Sequence, residues 1–410
     1  LRELLHMSRY IHPAFFSHAE KALAGIMDFT YPADGVLARY FREHRNIGQQ
    51  ERGYIAETCF AVLRRLRALS ARTRLDEGEV TPRRLLLAAL IGEGRNLCEL
   101  EHLLKGDEAL WLAAVKGFDD ASLSVAERLD LPDWLYTRLS EVFGEEAEAL
   151  VRALNQSAPL DLRVNLLKSG REAVIEALKE EGFVAHAGKH SPFAVRLPDK
   201  PSLARHPLFL SGHIEVQDEG SQLLGLMLAP RRGEAVADFC AGAGGKTLLL
   251  GMLMKNTGKL YAFDVSANRL EKLKPRLARS GLSNVHPVCL GRNTKLKRLT
   301  GKMDRVLVDA PCSGLGTLRR NPHLKWRQTP DSVAGLAARQ SEILVTAARL
   351  VRLGGHLLYA TCSLLPEENE DIVKAFQATH SGWTLLEERR FFPHMHGTDG
   401  FYAALMQRER

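Results

Sequence analysis

Two cysteines stand in similar short phrases. Asp309-Ala310-Pro311-Cys312-Ser313-Gly314 follows the β-rich run Arg305 to Val308, and Ala360-Thr361-Cys362-Ser363 follows His356 to Tyr359. A single buried cysteine is usually inert packing. Two at equivalent strand ends, each in a small polar turn, point instead to covalent chemistry. Such a pair suits methylation at carbon 5 of cytosine, which is too electron-poor to attack an activated methyl group directly. A thiolate adding to carbon 6 makes carbon 5 nucleophilic. A carboxyl beside N3 and the amino group steadies the adduct, and a second thiol helps remove the carbon 5 proton. Asp309 is that carboxyl, and Cys312 and Cys362 are the thiols. Only an unstacked base can be reached this way, so a flipped or single-stranded target is expected. Pro366 with Glu367 and Glu368 marks a helix start just beyond Cys362. Its N-terminus favours a thiolate, and the adjacent glutamates oppose one.

The methyl donor needs its own seat. After the run Ala235 to Phe239 comes Cys240-Ala241-Gly242-Ala243-Gly244-Gly245-Lys246-Thr247, then an apolar helix. A phosphate-binding P-loop requires glycine where Cys240 stands, and a dinucleotide fingerprint requires glycine or alanine at Thr247. A glycine turn still lets the backbone approach a ligand closely. The next strand, Leu260 to Phe263, ends in Asp264, which can accept both hydroxyls of a ribose. The plainer readings are a simple tight turn and a capping aspartate ahead of Ser266 to Ser280. Turn and acid together, without phosphate signatures, fit a nucleoside that carries no diphosphate, such as S-adenosylmethionine. No metal site is expected, because none of the six cysteines forms a CxxC pair.

These turns need a sheet beneath them. From 206 to 410 short β-rich runs alternate with helical stretches, one of them from about 332 to 352, which predicts a parallel sheet with helices on both faces. Residues 146–205 read as a small α+β module, with strands at Leu162 to Leu167 and Phe193 to Leu197 around a helix at Glu172 to Glu181. Residues 1–145 read as an all-helical domain. Seven arginines at 64, 65, 67, 72, 74, 83 and 84 form either a solvated helix face or a phosphate-contacting surface. Arg319, Arg320, Lys325 and Trp326 interleave basic and aromatic residues between the two cysteine phrases, as an RNA strand requires, and Arg292, Lys295, Lys297, Arg298, Lys302 and Arg305 precede them. The net charge of +7 favours an anionic partner. Sparse cysteines, no export signal after Leu1 to His6 and no long apolar run point to a reduced, cytoplasmic protein without a membrane span, expected as a monomer.

At these phrases the chain resembles the RNA cytosine-5 methyltransferases of the Sun/Nol/Nop family, bacterial rRNA-type branch, over roughly 155–410. Leu162-Arg163-Val164-Asn165, Val216-Gln217-Asp218-Glu219-Gly220-Ser221, Pro366-Glu367-Glu368-Asn369 and Asp399-Gly400-Phe401-Tyr402 add to the likeness. The resemblance implies a class I S-adenosylmethionine methyltransferase (Rossmann-like) fold. It implies cofactor binding by residues 240 to 246, Asp264 and Asp309, Cys362 as nucleophile, Cys312 as release thiol, and RNA, ribosomal RNA above all, as substrate. Gln49 to Arg65 is weakly similar to a NusB-like RNA-binding domain. The chain departs from the family at Ala243, where proline is usual, and at Leu290, where an aspartate near adenine is usual. Two alternatives stand beside this reading. One is a DNA cytosine-5 methyltransferase, which uses the Pro-Cys thiol, here Cys312. The other is an RNA-binding ribosome assembly factor whose cofactor site has decayed at Leu290.

Overall fold

The computed structural model describes residues 10–74, 79–291 and 296–409; Leu1 to His6, Arg292 and Lys295 lie outside them. The chain forms two compact units, Leu1–Gln156 with Leu318–Thr329, and Ser157–Thr317 with Pro330–Arg410.

The first unit is helical. Its helices include Pro13–Ile26, Gln49–Arg64, Pro82–Gly92 and Glu108–Lys116, and the last, Ala147–Leu154, runs beyond the boundary at 145 read from sequence. Pro82 at the first turn and the Thr81 hydroxyl, which accepts from Arg84 N at 3.2 Å, start the Pro82–Gly92 helix. That helix buries Leu85, Leu86, Leu87 and Leu90, so it lies inside the bundle with Leu23, Ile55 and Leu63. The arginine run ties helices together. Arg65 pairs with buried Asp130 at 2.9 Å, Arg67 with Asp133 at 2.8 Å, Arg72 with Asp120 at 2.5 Å and Arg83 with Glu108 at 2.7 Å, while Arg84 lies over the Trp111 ring. These five guanidiniums are engaged with the unit's own groups, and Arg65 and Arg74 are exposed, so the run is partly a set of internal ties and partly a solvated face.

The second unit holds two sheets. Strands β1 (Leu160–Val164), β2 (His186–Ala187), β3 (Ala194–Leu197) and β4 (Ile214–Val216) form an antiparallel sheet in the order β2-β3-β1-β4. The module thus extends past 205. The large sheet comprises β5 (Ala235–Asp238), β6 (Lys259–Asp264), β7 (Val285–Cys289), β8 (Met303–Asp309), β9 (Val351–Thr361), β10 (Trp383–Phe391) and β11 (Phe401–Arg408), in the order β10-β11-β9-β8-β5-β6-β7. Strands β5 to β9 pair in parallel, as the alternation predicts. Strands β10 and β11 add an antiparallel edge the alternation did not predict, because no crossover helix separates them. The helix expected to about 352 is Pro330–Ala348, and Val351 already belongs to β9. The central strands are buried on both faces and read as continuous apolar runs. Their shared direction brings Asp238, Asp264, Asp309 and Cys362 out along one edge of the sheet, where ligands bind in such folds. Among the described residues no helix is long and apolar enough to cross a membrane.

Candidate active site

Strands β8 and β9 lie side by side with Asp309 opposite Ala360, and Ala310 N donates to Ala360 O at 2.8 Å. The register carries the two turns beyond them into contact. Gly316 N donates to Cys362 O at 2.8 Å, and Cys312 Sγ stands 3.3 Å from Cys362 Sγ. Both thiols are partly exposed. The hydrogen bond with Cys362, then burial, then the charges of Cys362 and Glu368 hold the Cys312 thiol well above the ordinary range. Cys312 therefore keeps its proton near neutral pH.

Asp309 ends β8 and accepts from Lys246 Nζ at 2.7 Å. Burial opposes charge on Lys246, but the charge and hydrogen bond of Asp309 outweigh it and raise its pKa. Lys246 is therefore an ammonium, and it lies 5.7 Å from the centre of the Phe401 ring. The sequence placed Lys246 with the cofactor turn. The structure also joins it to the carboxylate beside the thiols.

The turn is built on two left-handed glycines, Gly242 at φ +56 and Gly244 at φ +86. Asp264, 4% exposed, accepts from Gly242 N at 2.8 Å with one oxygen and from Ser266 N at 2.7 Å with the other. Asp264 thus braces the turn, and Ser266 caps the following helix. Arg163 from β1 donates to Gly245 O at 2.8 Å and also bonds Gln217, and Arg276 donates to Ala243 O at 2.6 Å, so the small sheet supports the turn too. Asp238 is wholly buried. Its Oδ2 accepts from Thr247 at 2.7 Å and its Oδ1 has no partner; burial, with Asp309 nearby, pushes it up to about 7. Cys240 is a half-buried thiol pushed far up by desolvation and by Asp238, so it is no nucleophile. Leu290 is half-buried and packs on the apolar core beneath β5 and β8, with Cys240 and Val288.

The expected RNA-contacting segment is described with the helical unit. Leu318–Thr329 belongs to the helical unit. Lys325 is 0% exposed, and its ammonium donates to Arg64 O and Asn155 Oδ1, each at 2.9 Å. Burial pushes Lys325 down to about 7, against the opposing pull of Asp130. Trp326 Nε1 donates to Leu63 O at 2.7 Å and its ring packs on the helical core. Arg319 is buried and its carbonyl accepts from Arg64 at 3.0 Å, whereas Arg320 is partly exposed. Lys325 and Trp326 are spent on folding, because both heads are satisfied inside the bundle, which corrects their reading as RNA contacts.

Sequence reasoning missed one buried group at the site. Glu368 Oε1 accepts from Ser313 N at 2.8 Å and from Gln340 Nε2 at 3.0 Å, and Oε2 from Ser313 Oγ at 2.5 Å and from the Ser363 hydroxyl. The signal was present in Pro366-Glu367-Glu368-Asn369, read as a helix start, as charges opposing a thiolate and as part of the family likeness, but not as a buried acceptor. The structure forms a single 3-10 turn, Pro366–Glu368, before the helix Glu370–Thr379.

Residues 225–407 match the family model for 16S rRNA methyltransferase RsmB/F, and residues 131–203 match the ferredoxin-like domain of RsmF/B-like methyltransferases. Ribosomal RNA small subunit methyltransferase B of Proteus mirabilis is 30% identical over 418 residues, spanning 96% of this chain and 98% of that protein. The protein of that name from Sodalis glossinidius is 36% identical over 301 residues, 70% of this chain and 69% of its own length. The crystal structure of NSun6 from Pyrococcus horikoshii with SFG superposes with a TM-score of 0.63 at 25% identity, covering 68% of this chain and 98% of that one.

Proposed function

Because this chain belongs to the RsmB/F family of ribosomal RNA methyltransferases, in its Sun/Nol branch, we propose that it methylates carbon 5 of a cytosine in small-subunit ribosomal RNA, with Cys362 as nucleophile and S-adenosylmethionine as methyl donor. Its seven-stranded sheet is of the class I S-adenosylmethionine methyltransferase type. The observation that carries the reading is the 3.3 Å approach of Cys312 and Cys362 on adjacent strand ends. Family membership disfavours DNA as substrate and a purely structural role in ribosome assembly.

The residues present fit a cationic nucleoside. The turn Cys240–Lys246 leaves open space at Gly242, where a Cβ would meet nothing within 4 Å. Asp264 and Asp309 stand beside it, and the unpartnered Oδ1 of Asp238 is a buried acceptor below it. Leu290 would give the adenine an apolar neighbour in place of a carboxylate. S-adenosylmethionine, when bound, supplies an electrophilic methyl group.

In this reading the chain's own residues divide the work. The Cys362 thiolate adds to carbon 6, and the displaced π electrons move towards N3, which takes a proton through Asp309 and Lys246. Carbon 5 is then nucleophilic and takes the methyl group. To finish, a base takes the carbon 5 proton, the C5=C6 bond re-forms, the C–S electrons return to Cys362 and the N3 proton goes back through Asp309 to Lys246. Cys312 suits the last task by timing. While Cys362 is a thiolate, its charge and hydrogen bond keep Cys312 protonated. Once Cys362 becomes a thioether, both influences end and only burial and Glu368 still oppose ionisation; Cys312 then passes its proton to solvent and, as a thiolate, takes the carbon 5 proton. The test is asymmetric. Cys362→Ala should abolish methylation and form no covalent RNA, whereas Cys312→Ala should accumulate an adduct that survives a denaturing gel. The opposite pattern reverses the roles, and bisulfite sequencing of ribosomal RNA with and without the gene reads the nucleotide.

A further inference from the structure

We propose that Glu368 is a positioning residue that decides which of the two thiols keeps the proton, by clasping the residue after Cys312 to the residue after Cys362. The proposal rests on the functional reading above and adds to it the group that makes the thiols unequal.

The geometry is specific. Glu368 is 0% exposed, and four donors converge on its two oxygens: Ser313 N, Ser313 Oγ, Ser363 Oγ and Gln340 Nε2. Four donors are the full complement of an ionised carboxylate, which only accepts. Gln340 donates also to Pro311 O at 3.0 Å, and the Tyr359 hydroxyl donates to Glu368 O at 2.6 Å. Glu368 therefore holds the residues after Cys312 and after Cys362, and Gln340, bonded to it, holds Pro311 before Cys312. The strand register and the Gly316 N–Cys362 O bond bring the two turns together, and Glu368 adds a charged clasp between the residues that follow the two sulfurs.

The clasp is lopsided. Two of the four bonds come from Ser313, one of them from its backbone N–H, and only one comes from Ser363. The negative charge is thus fastened to the Cys312 turn, and a carboxylate disfavours a thiolate beside it. That charge is among the causes that hold the Cys312 proton on. The sequence suggests that the glutamates after Pro366 oppose a thiolate at Cys362. The structure directs the carboxylate of Glu368 chiefly at the other thiol, leaving Cys362 as the nucleophile and Cys312 as the proton-bearing partner.

The test reads Cys312 directly and needs no methyl transfer, so its failure is distinct from failure of the functional reading. In a Cys362→Ala background, iodoacetamide alkylation of Cys312 is followed by peptide mass spectrometry between pH 6 and 10. Glu368→Gln keeps the size and removes the charge; the alkylation midpoint should fall by about one pH unit, roughly tenfold faster modification at pH 8. Glu368→Asp keeps the charge and should leave the midpoint near its starting value. Equal midpoints for Glu and Gln, in proteins that melt alike, overturn the proposal, as does an Asp variant that shifts as far as Gln. If Glu368→Gln does not fold, Ser313→Ala in the Cys362→Ala background takes its place: it loosens the carboxylate from the Cys312 turn, so the Cys312 alkylation midpoint should fall, and an unaltered midpoint overturns the proposal equally.

Discussion

Replacing Gly242 by alanine should separate ligand binding from stability. At φ +56 a side chain costs about 1–2 kcal/mol in the left-handed region, offset by about 0.4–1 kcal/mol from a stiffer unfolded chain. An added Cβ meets no atom within 4 Å. The net loss is therefore about 1 kcal/mol, a fall of about 2–4 °C in Tm for a unit of this size. Gly244 is the control two residues on. There φ is +86 and a Cβ would lie 2.1 Å from Leu273 Cδ1. Leu273 is 0% exposed and has nowhere to swing. Overpacking of about 1–3 kcal/mol then adds to the backbone cost, and Gly244→Ala should melt several degrees below Gly242→Ala. Calorimetric titration with S-adenosylmethionine gives the other axis. If the open face at Gly242 is where the ligand approaches the backbone, its new methyl group should weaken binding at least tenfold, about 1.4 kcal/mol, in a protein that is still folded. Undiminished binding by Gly242→Ala refutes the placement of the cofactor on this turn. Equal melting of the two variants refutes the packing argument.

Other outcomes follow from the buried charges and from the thiol pair. Lys325 has a folded pKa of about 7 against 10.5 unfolded, so the unfolded chain binds more protons between those values and stability rises with pH across the window, by about 5 kcal/mol at most. Lys325→Met should flatten that rise in urea midpoints measured from pH 7 to 10; an unchanged slope rejects it. Asp238 runs the other way. Its folded value of about 7 exceeds 3.8, so its contribution falls as pH climbs from about 4 to 7, and Asp238→Asn should remove that decline. With sulfurs 3.3 Å apart, a thiol oxidant such as diamide should join Cys312 to Cys362 and stop methyl transfer until dithiothreitol is added. A peptide map of the oxidised protein without that cross-link rules this out.

The chemistry was legible in the sequence because strand ends are strong signals. A short apolar run followed by a small polar turn fixes where a side chain leaves a parallel sheet, and this placed Asp238, Asp264, Asp309, Cys312 and Cys362 on one edge. Less legible were elements whose signal is not periodic. Strand β10 at the sheet's edge runs from Trp383-Thr384-Leu385-Leu386 into the charged block Glu387-Glu388-Arg389-Arg390, and β11 follows without a crossover helix. Glu368 was hidden for a related reason. A glutamate two residues after a proline is the usual mark of a helix start, and nothing local reveals that donors from two distant segments, Ser313 and Gln340, join nearby Ser363 on it.

The segment Leu318 to Arg327 shows where composition misleads. Arginines, a lysine and a tryptophan in ten residues match a strand-binding loop, but the same side chains are equally able to cap carbonyls that helices leave open. Arg64 O receives Lys325 Nζ and Leu63 O receives Trp326 Nε1, at the C-terminal turn of the Gln49–Arg64 helix, where the last carbonyls lack partners within the helix. Cations and N–H donors are favoured there by charge as well as by hydrogen bonding. The sequence shows donors in both cases and does not say whether phosphates or helix ends accept from them. Burial decides it: a lysine wholly out of water, bonded to two protein acceptors, can give nothing to a phosphate. The basic-aromatic phrase is thus a fastening of the helical unit, even though Arg320, Trp326 and Arg327 keep part of their surface in solvent.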